Sequence, residues 1–246
     1  LANGAGEDNR NVARMATLLA GLPVTVPGTT VNRLCGSSLD AAIMASRSIE
    51  TGDADLVLVG GVESMSRAPW VVTKPEKPYA AGNSTMHSTT LGWRLVNPQM
   101  PDEWTVSLGE ANEQVALEYG IERERMDEFA AHSHRLAAQA WESGFYDDLT
   151  CGVPGVDAED LSRDETIRPG STPEKLAGLT PSFRADGRIT AGNASQLSDG
   201  AAAVVVMNAD LARERGLQPL GLFKGFAVAG VAPEVMGIGP VAAVPK

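Results

Sequence analysis

A seven-residue stretch, Ala54-Asp55-Leu56-Val57-Leu58-Val59-Gly60, constrains the fold of this chain more than any other feature. Short, nearly all-apolar runs of this kind belong to strands covered on both faces. Just before it, Ser37 to Thr51 carries Leu39, Ala42, Ile43, Met44 and Ile49 at helical spacing, with Gly52 as a stop. Earlier still, Gly28 to Leu34 is rich in Thr and Val and reads as a strand. Strand, helix and strand in so short a span make a βαβ unit, which predicts an α/β fold with parallel pairing.

Around this unit the pattern varies. Asn9 to Leu22 has Val12, Met15, Leu18 and Leu19 at helical spacing, stopped by Gly21 and Pro23. After Ser66 periodicity fades and Trp, Pro, Thr and Asn accumulate up to residue 105. Residues 110–143 read as two helices, one on Ala111, Val115, Leu117 and Tyr119, the next on Met126, Phe129, Ala130, Leu136, Ala137 and Ala140. Residues 144–192 are mostly loop, punctuated by Pro154, Pro169, Pro173 and Pro181, and core chemistry returns from Thr190 to Met207. The reading is an α/β core interrupted by a long excursion.

Composition removes several function classes. The chain has 246 residues with 20 Lys+Arg against 31 Asp+Glu, a net charge of −11. Such an acidic balance argues against nucleic-acid binding, which depends on cations neutralising phosphates. No stretch approaches the ~20 apolar residues of a membrane span, so no membrane partner is expected. Two distant cysteines, Cys35 and Cys151, do not make a disulfide scaffold and point to a reducing, cytoplasmic setting. The first residues carry no signal-peptide pattern, and neither terminus reads as the natural edge of a domain. No metal-ligand spacing, P-loop or dinucleotide fingerprint occurs. The pair Gly60-Gly61 taken alone suggests a tight turn at a strand end.

One position carries chemistry. Cys35, in Val31-Asn32-Arg33-Leu34-Cys35-Gly36-Ser37-Ser38, falls where the strand ends and the helix begins. Unpaired N–H groups and partial positive charge at a helix start favour a thiolate there. Gly36 lets a ligand approach the backbone. The bland alternative is a small buried hydrophobe. A nucleophilic cysteine needs a base, and none of His87, His132 and His134 is an evident partner. His132 and His134 read as surface or packing residues, the role of His87 is open, and Cys151 reads as structural.

Several segments together resemble one family, the thiolases. They are Ala5-Gly6-Glu7-Asp8-Asn9-Arg10-Asn11, Thr30 to Ser38 around Cys35, Gly60-Gly61-Val62-Glu63-Ser64-Met65-Ser66, and Thr90-Leu91-Gly92-Trp93-Arg94. Thr190-Ala191-Gly192-Asn193-Ala194-Ser195, Asp199-Gly200-Ala201-Ala202 and Met236-Gly237-Ile238-Gly239-Pro240 follow in the family's order. The resemblance implies the layered αβαβα thiolase fold with an inserted loop domain, only part of it present. It sets out residues 1–65 as the N-terminal half, 66–196 as the CoA-binding loop domain, 197–219 as the return to that half, and 220–246 as the start of the C-terminal half.

The resemblance also implies function. Cys35 matches the family's nucleophile, which takes the acyl group of a 3-oxoacyl-CoA as a thioester and passes it to CoA; its N–H would meet the developing oxyanion. Arg168 matches the arginine at the nucleotide end of CoA, and its planar fork suits a base or phosphate. Phe183 and Leu108 match residues at the pantetheine tunnel, and Ala194 and Ser195 match the segment that hydrogen-bonds the pantetheine amides. No cofactor is held permanently: coenzyme A and acyl-CoA are substrates, and self-association as a homodimer or homotetramer is expected. Two departures stand out. Lys175 occupies the place of a CoA-contacting serine, and no histidine lies near Val106, which turns the reading away from acetoacetyl-CoA; the Thr90–Pro98 segment, with Ala5–Asn11, resembles the degradative branch that includes 3-oxoadipyl-CoA thiolases. The family extends further at both ends, and its C-terminal part carries an Asn-Glu motif, a Gly-His-Pro histidine and a second catalytic cysteine, so the chain alone is expected to be inactive. The alternatives are a 3-oxoacyl-carrier-protein synthase type of condensing enzyme and a non-catalytic CoA- or lipid-binding relative.

Overall fold

The computed structural model describes residues 10–154 and 161–246. The motif at Ala5 to Asn11 lies mostly outside the described residues, as does Asn9 of the first helical pattern. The chain divides into two compact units, one of Leu1–Leu95 with Leu197–Val228, the other of Val96–Gln196 with Ala229–Lys246.

In the first unit, α1 (Val12–Leu19) starts at Asn11, whose side chain accepts from the Arg14 N–H, and the chain leaves it through Gly21 at φ +76°. A polar side chain at this position satisfies one of the N–H groups that a helix start leaves unpaired. The segment after α1 was expected to be a strand from Gly28 to Leu34. It forms none, its backbone entering only an isolated bridge at Arg33. Its start is tied to α1 instead: the Gly28 carbonyl accepts from Asn11 Nδ2 at 2.9 Å, and the Thr30 hydroxyl donates to Asn11 Oδ1 at 3.1 Å and accepts from the Ala13 N–H.

Helix α2 (Ser37–Glu50) forms as its apolar spacing requires and ends at Thr51 and Gly52, the latter at φ +78°. Strand β1 (Leu56–Ser64) packs against α2. It pairs over its whole length with β4 (Asp199–Met207), from Leu56 opposite Met207 to Ser64 opposite Asp199. This pairing is antiparallel, which corrects the parallel βαβ expectation. Parallel pairing needs a second strand on the same side of the crossover helix, and the stretch before α2 provides none. Nor are these strands covered on both faces. Leu56 and Leu58 are half exposed, only Val59 of β1 is buried, and Asp199 to Val205 are exposed throughout. Each strand has one neighbour in the sheet, and α2 packs on both, which leaves much of their surface exposed. Two-residue strands β2 (Trp70–Val71) and β3 (His87–Ser88) pair antiparallel in the same unit, and Arg47 of α2 lies over the Phe226 ring at 4.3 Å.

The second unit is built on helices α3 (Leu108–Glu118) and α4 (Arg123–Glu142), with short α5 (Pro173–Ala177) against α4 and the 3-10 turn Pro233–Ile238 against α3. Their inner faces hold Ala111, Glu113 and Ala116 on α3, and Asp127, Ala131 and Ala138 on α4. Helix α4 therefore turns a different stripe inward from the one its apolar residues suggest: Phe129 and Leu136 stay exposed while Asp127 is 1% exposed. Small helices α6 (Ala209–Glu214) and α7 (Gly239–Ala243) complete the first and second unit respectively.

Candidate active site

Cys35 sits two residues before the first residue of α2, on the surface. The turn that presents it is built by its neighbours. Leu34 lies at φ +49°, a left-handed backbone that a branched side chain adopts only under constraint. Three hydrogen bonds supply that constraint. The Leu34 N–H donates to Asn32 Oδ1 at 2.8 Å, the Arg33 N–H to Ser37 Oγ at 2.9 Å, and Ser37 Oγ to the Leu34 carbonyl at 2.6 Å. Ser37 is buried, so the knot is fixed from inside. No side chain caps the start of α2, and its positive end is directed at the segment carrying the thiol. The arrangement suits anionic sulfur or an anionic group bound next to it.

Gly61 explains how this turn is held to the sheet. It lies inside β1, not at a turn, which corrects the reading of the Gly60-Gly61 pair. A methyl group there would fall 2.0 Å from Ser38 Oγ and 3.1 Å from Ser38 Cβ. Glycine at this position thus permits β1 to pass against the first turn of α2. At the far end of β1, Asp199 of β4 accepts from the Ser66 N–H at 3.0 Å and from the Ser66 hydroxyl. These bonds, the hydroxyl's first, hold the Asp199 carboxyl below its usual range.

The residues matched to CoA contacts all fall in the second unit. Leu108 opens α3 and is exposed, above the Ser107 cap that accepts from Glu110 N–H at 3.2 Å. The Phe183 ring lies over Gly109, where a Cβ would come within 2.2 Å of Cζ. Beside it Arg184 Nε donates to both Glu110 oxygens at 3.0 Å. The structure therefore brings Leu108 and Phe183 to one place and clamps them with an ion pair. The hydrogen bond from Arg184, ahead of its charge, lowers the Glu110 carboxyl from its ordinary value despite opposing burial.

Arg168 has an exposed side chain and is fixed by its backbone, whose N–H donates to His134 Nδ1 at 3.2 Å. His134, read from sequence as a surface or packing residue, thus has a positioning contact. His132 meets Arg135 at 2.6 Å on the same helix, at a groove of about 410 Å³ that Pro169, Thr172 and Pro173 also line. Lys175 turns its ammonium to the Gly170 carbonyl at 2.8 Å, closing its own loop. His87 lies on β3 opposite Val71.

Ala194 and Ser195 are exposed at the end of a braced turn. Thr190 N–H donates to Asn193 Oδ1 at 2.8 Å, and Ala194 N–H to the Thr190 carbonyl at 3.0 Å. Asn193 Nδ2 donates in turn to Asp127 Oδ1 at 2.9 Å. Buried Glu113 accepts from the Ile189 N–H at 2.8 Å and the Arg188 N–H at 2.9 Å. Sequence reasoning missed Glu113 and Asp127, because acids in a helix ordinarily face solvent. The available signal was position: Asp127 lies one turn from Arg123 and one from Ala131 on the same helix face.

These features describe an α/β protein with an exposed cysteine ahead of an uncapped helix. Comparison with known proteins makes the class specific. The profile of the thiolase N-terminal domain matches residues 2–210, so the chain belongs to the thiolase family. It is 50% identical to a 3-oxoadipyl-CoA/3-oxo-5,6-dehydrosuberyl-CoA thiolase of Escherichia coli over 98% of its length and 61% of the relative's. It is 47% identical to the β-ketoadipyl-CoA thiolase of Pseudomonas putida, covering 62% of that protein. Among solved structures, the Bacillus anthracis acetyl-CoA acetyltransferase superposes with TM-score 0.88 at 39% identity, over 99% of this chain and 61% of its own. The human mitochondrial 3-ketoacyl-CoA thiolase in complex with CoA gives TM-score 0.88 at 31% identity, over 99% and 60%. The chain carries part of the thiolase fold and spans about 61% of the relatives it matches.

Proposed function

We propose that this chain supplies the nucleophile and much of the CoA site of a thiolase that exchanges an acyl group between a 3-oxoacyl-CoA and coenzyme A. In the degradative direction the Cys35 thiolate adds to the C3 carbonyl carbon. The C2–C3 bond then breaks, its electron pair and a proton leaving as acetyl-CoA, and a thioester remains on Cys35. The thiol of a second CoA displaces Cys35, taking the shortened acyl group and restoring the thiolate. During the first addition the Cys35 N–H at the start of α2 stabilises the oxyanion. The base that prepares each thiol belongs, by the family resemblance, to sequence outside this chain.

Arg168 receives the nucleotide end of CoA, Phe183 and Leu108 line the pantetheine path, and Ala194 and Ser195 bond its amides. The thiolase division of the chain (N-terminal half to residue 65, loop domain 66–196, return at 197–219, C-terminal half from 220) belongs to the same reading. So do a homodimeric or homotetrameric state and a cytoplasmic location. Relatives named as thiolases of 3-oxoadipyl-CoA, at 43 to 50% identity, support a short 3-oxoacyl substrate ending in a second carboxylate.

The observation that carries the reading is Cys35 on a constrained, exposed turn before α2, within a thiolase family match. Intact-mass and peptide mass spectrometry of the full-length protein after incubation with acetyl-CoA tests it. The expected result is one acetyl group on Cys35 and none in Cys35→Ser. An adduct on Cys151, or bound CoA without any adduct, would sink the acyl-enzyme proposal, the latter in favour of a non-catalytic CoA-binding protein.

A further inference from the structure

We infer that Glu113 and Asp127 are positioning residues that hold the pantetheine-binding backbone at Ala194 and Ser195 from behind, an inference that rests on the site reading above. Both carboxylates lie on inner helix faces at 1% exposure. A carboxylate is a poor filler for such a place, because its burial is costly unless every lone pair is matched and an apolar side chain packs there more cheaply. What it can do, and an apolar group cannot, is fix the direction of N–H groups.

The matching here is to loop backbone. Glu113 Oε1 and Oε2 each lie 2.9 Å from the Arg188 N–H, and Oε1 also accepts from the Ile189 N–H at 2.8 Å. The Arg188 guanidinium, the obvious cationic partner, goes elsewhere: to the carbonyls of Ala116 and Ile121 at 3.0 and 3.2 Å, and to Glu122 at 3.4 Å. Gly187 allows the approach, since a Cβ there would lie 2.5 Å from Glu113 Oε1. Asp127 takes the other end of the turn. Its Oδ2 accepts from Arg123 Nε at 2.7 Å and its Oδ1 from Asn193 Nδ2 at 2.9 Å. Asn193 then bonds the Arg188 carbonyl at 3.0 Å and the Thr190 N–H at 2.8 Å. Two acids on two helices therefore determine the path of Gly187 to Asn193. The next two residues emerge exposed and pre-oriented, which lowers the ordering cost of a ligand that bonds there.

Calorimetric CoA binding by full-length protein, with 3′-phosphoadenosine 5′-diphosphate as a probe for the nucleotide half, tests this alongside amide hydrogen exchange. In Glu113→Gln and Asp127→Asn, CoA affinity is expected to fall about ten-fold or more. Affinity for the nucleotide probe stays unchanged, and exchange quickens at Arg188, Ile189 and Asn193 but not along α3 and α4. Asn193→Ala, which removes the clasp without entering a helix, must show the same split. CoA affinity unchanged while exchange quickens overturns the proposal, as does equal loss for both probes, which would mean general unfolding. Wild-type protein that binds the nucleotide probe but gains nothing from the pantetheine arm overturns the site reading instead, and the positioning role with it.

Discussion

Leu34 and Gly61 do for Cys35 what no residue near it could do alone. The left-handed Leu34 turns the chain so that Cys35 stays exposed just before α2, and Gly61 allows β1 to brace the helix's first turn. Its place at the start of a predicted helix, followed by Gly36, made the cysteine legible as a candidate, because a helix start favours a thiolate. The strain at Leu34 was not legible, since leucine gives no local signal for a positive φ. Gly61→Ala is expected to destabilise the protein by about 1–3 kcal/mol through overpacking. Much of that should return in Gly61→Ala/Ser38→Ala, which removes the hydroxyl lying 2.0 Å from the added methyl. Thermal melts of the single and double variants measure this, and no recovery in the double variant would place the clash elsewhere.

Helix α4 shows the limit of periodicity as a guide. Its apolar residues gave it away as a helix, but the buried stripe is Asp127, Ala131 and Ala138, and Phe129 is 75% exposed. The decision belongs to Asp127 and Arg123: the bond of Asp127 to Asn193 and those of Arg123 to the Leu176 and Leu179 carbonyls can be made only if that face turns inward. Helix α3 carries a second acid–base contact, at its entrance, where Glu110 pairs with Arg184 beside Phe183. Because this carboxyl is lowered in the folded protein, the pair's stabilisation is full above the ordinary glutamate pKa of about 4.3 and drains as pH falls through the depressed value. With side chains 27 and 34% exposed, the contribution stays within about 1 kcal/mol. Melting temperature followed from pH 6 downward should fall less steeply in Arg184→Gln than in wild type. Identical slopes would show that the pair contributes nothing to the acid limb.

The chain assembles two units by crossing between them, leaving the first after Leu95 and returning at Leu197. Antiparallel pairing of β1 with β4 joins segments far apart in sequence, so the ladder's register needs fixing at its end. Asp199 does this by accepting twice from Ser66, 133 residues away. Asp199→Ala is expected to cost about 1 kcal/mol and to quicken amide exchange at the Ser64–Asp199 end of the ladder, with the Leu56–Met207 end unchanged. Uniform loosening along both strands would show that Asp199 does not set the register.

The sequence by itself determined the helices α1 to α4, the strand nature of the Ala54 run, the candidate nucleophile Cys35 and, through motifs in order, the thiolase family. These are local patterns: apolar spacing, stop residues and short signatures are written within a few turns of chain. Only the tertiary structure decided that Gly28 to Leu34 bonds to α1 instead of a strand, that β1 meets β4 antiparallel, and that two acids lie buried beneath Ala194 and Ser195. Each of those outcomes depends on which distant group satisfies a backbone N–H, carbonyl or carboxylate, and the partner of a polar group is fixed only when the whole chain has closed around it.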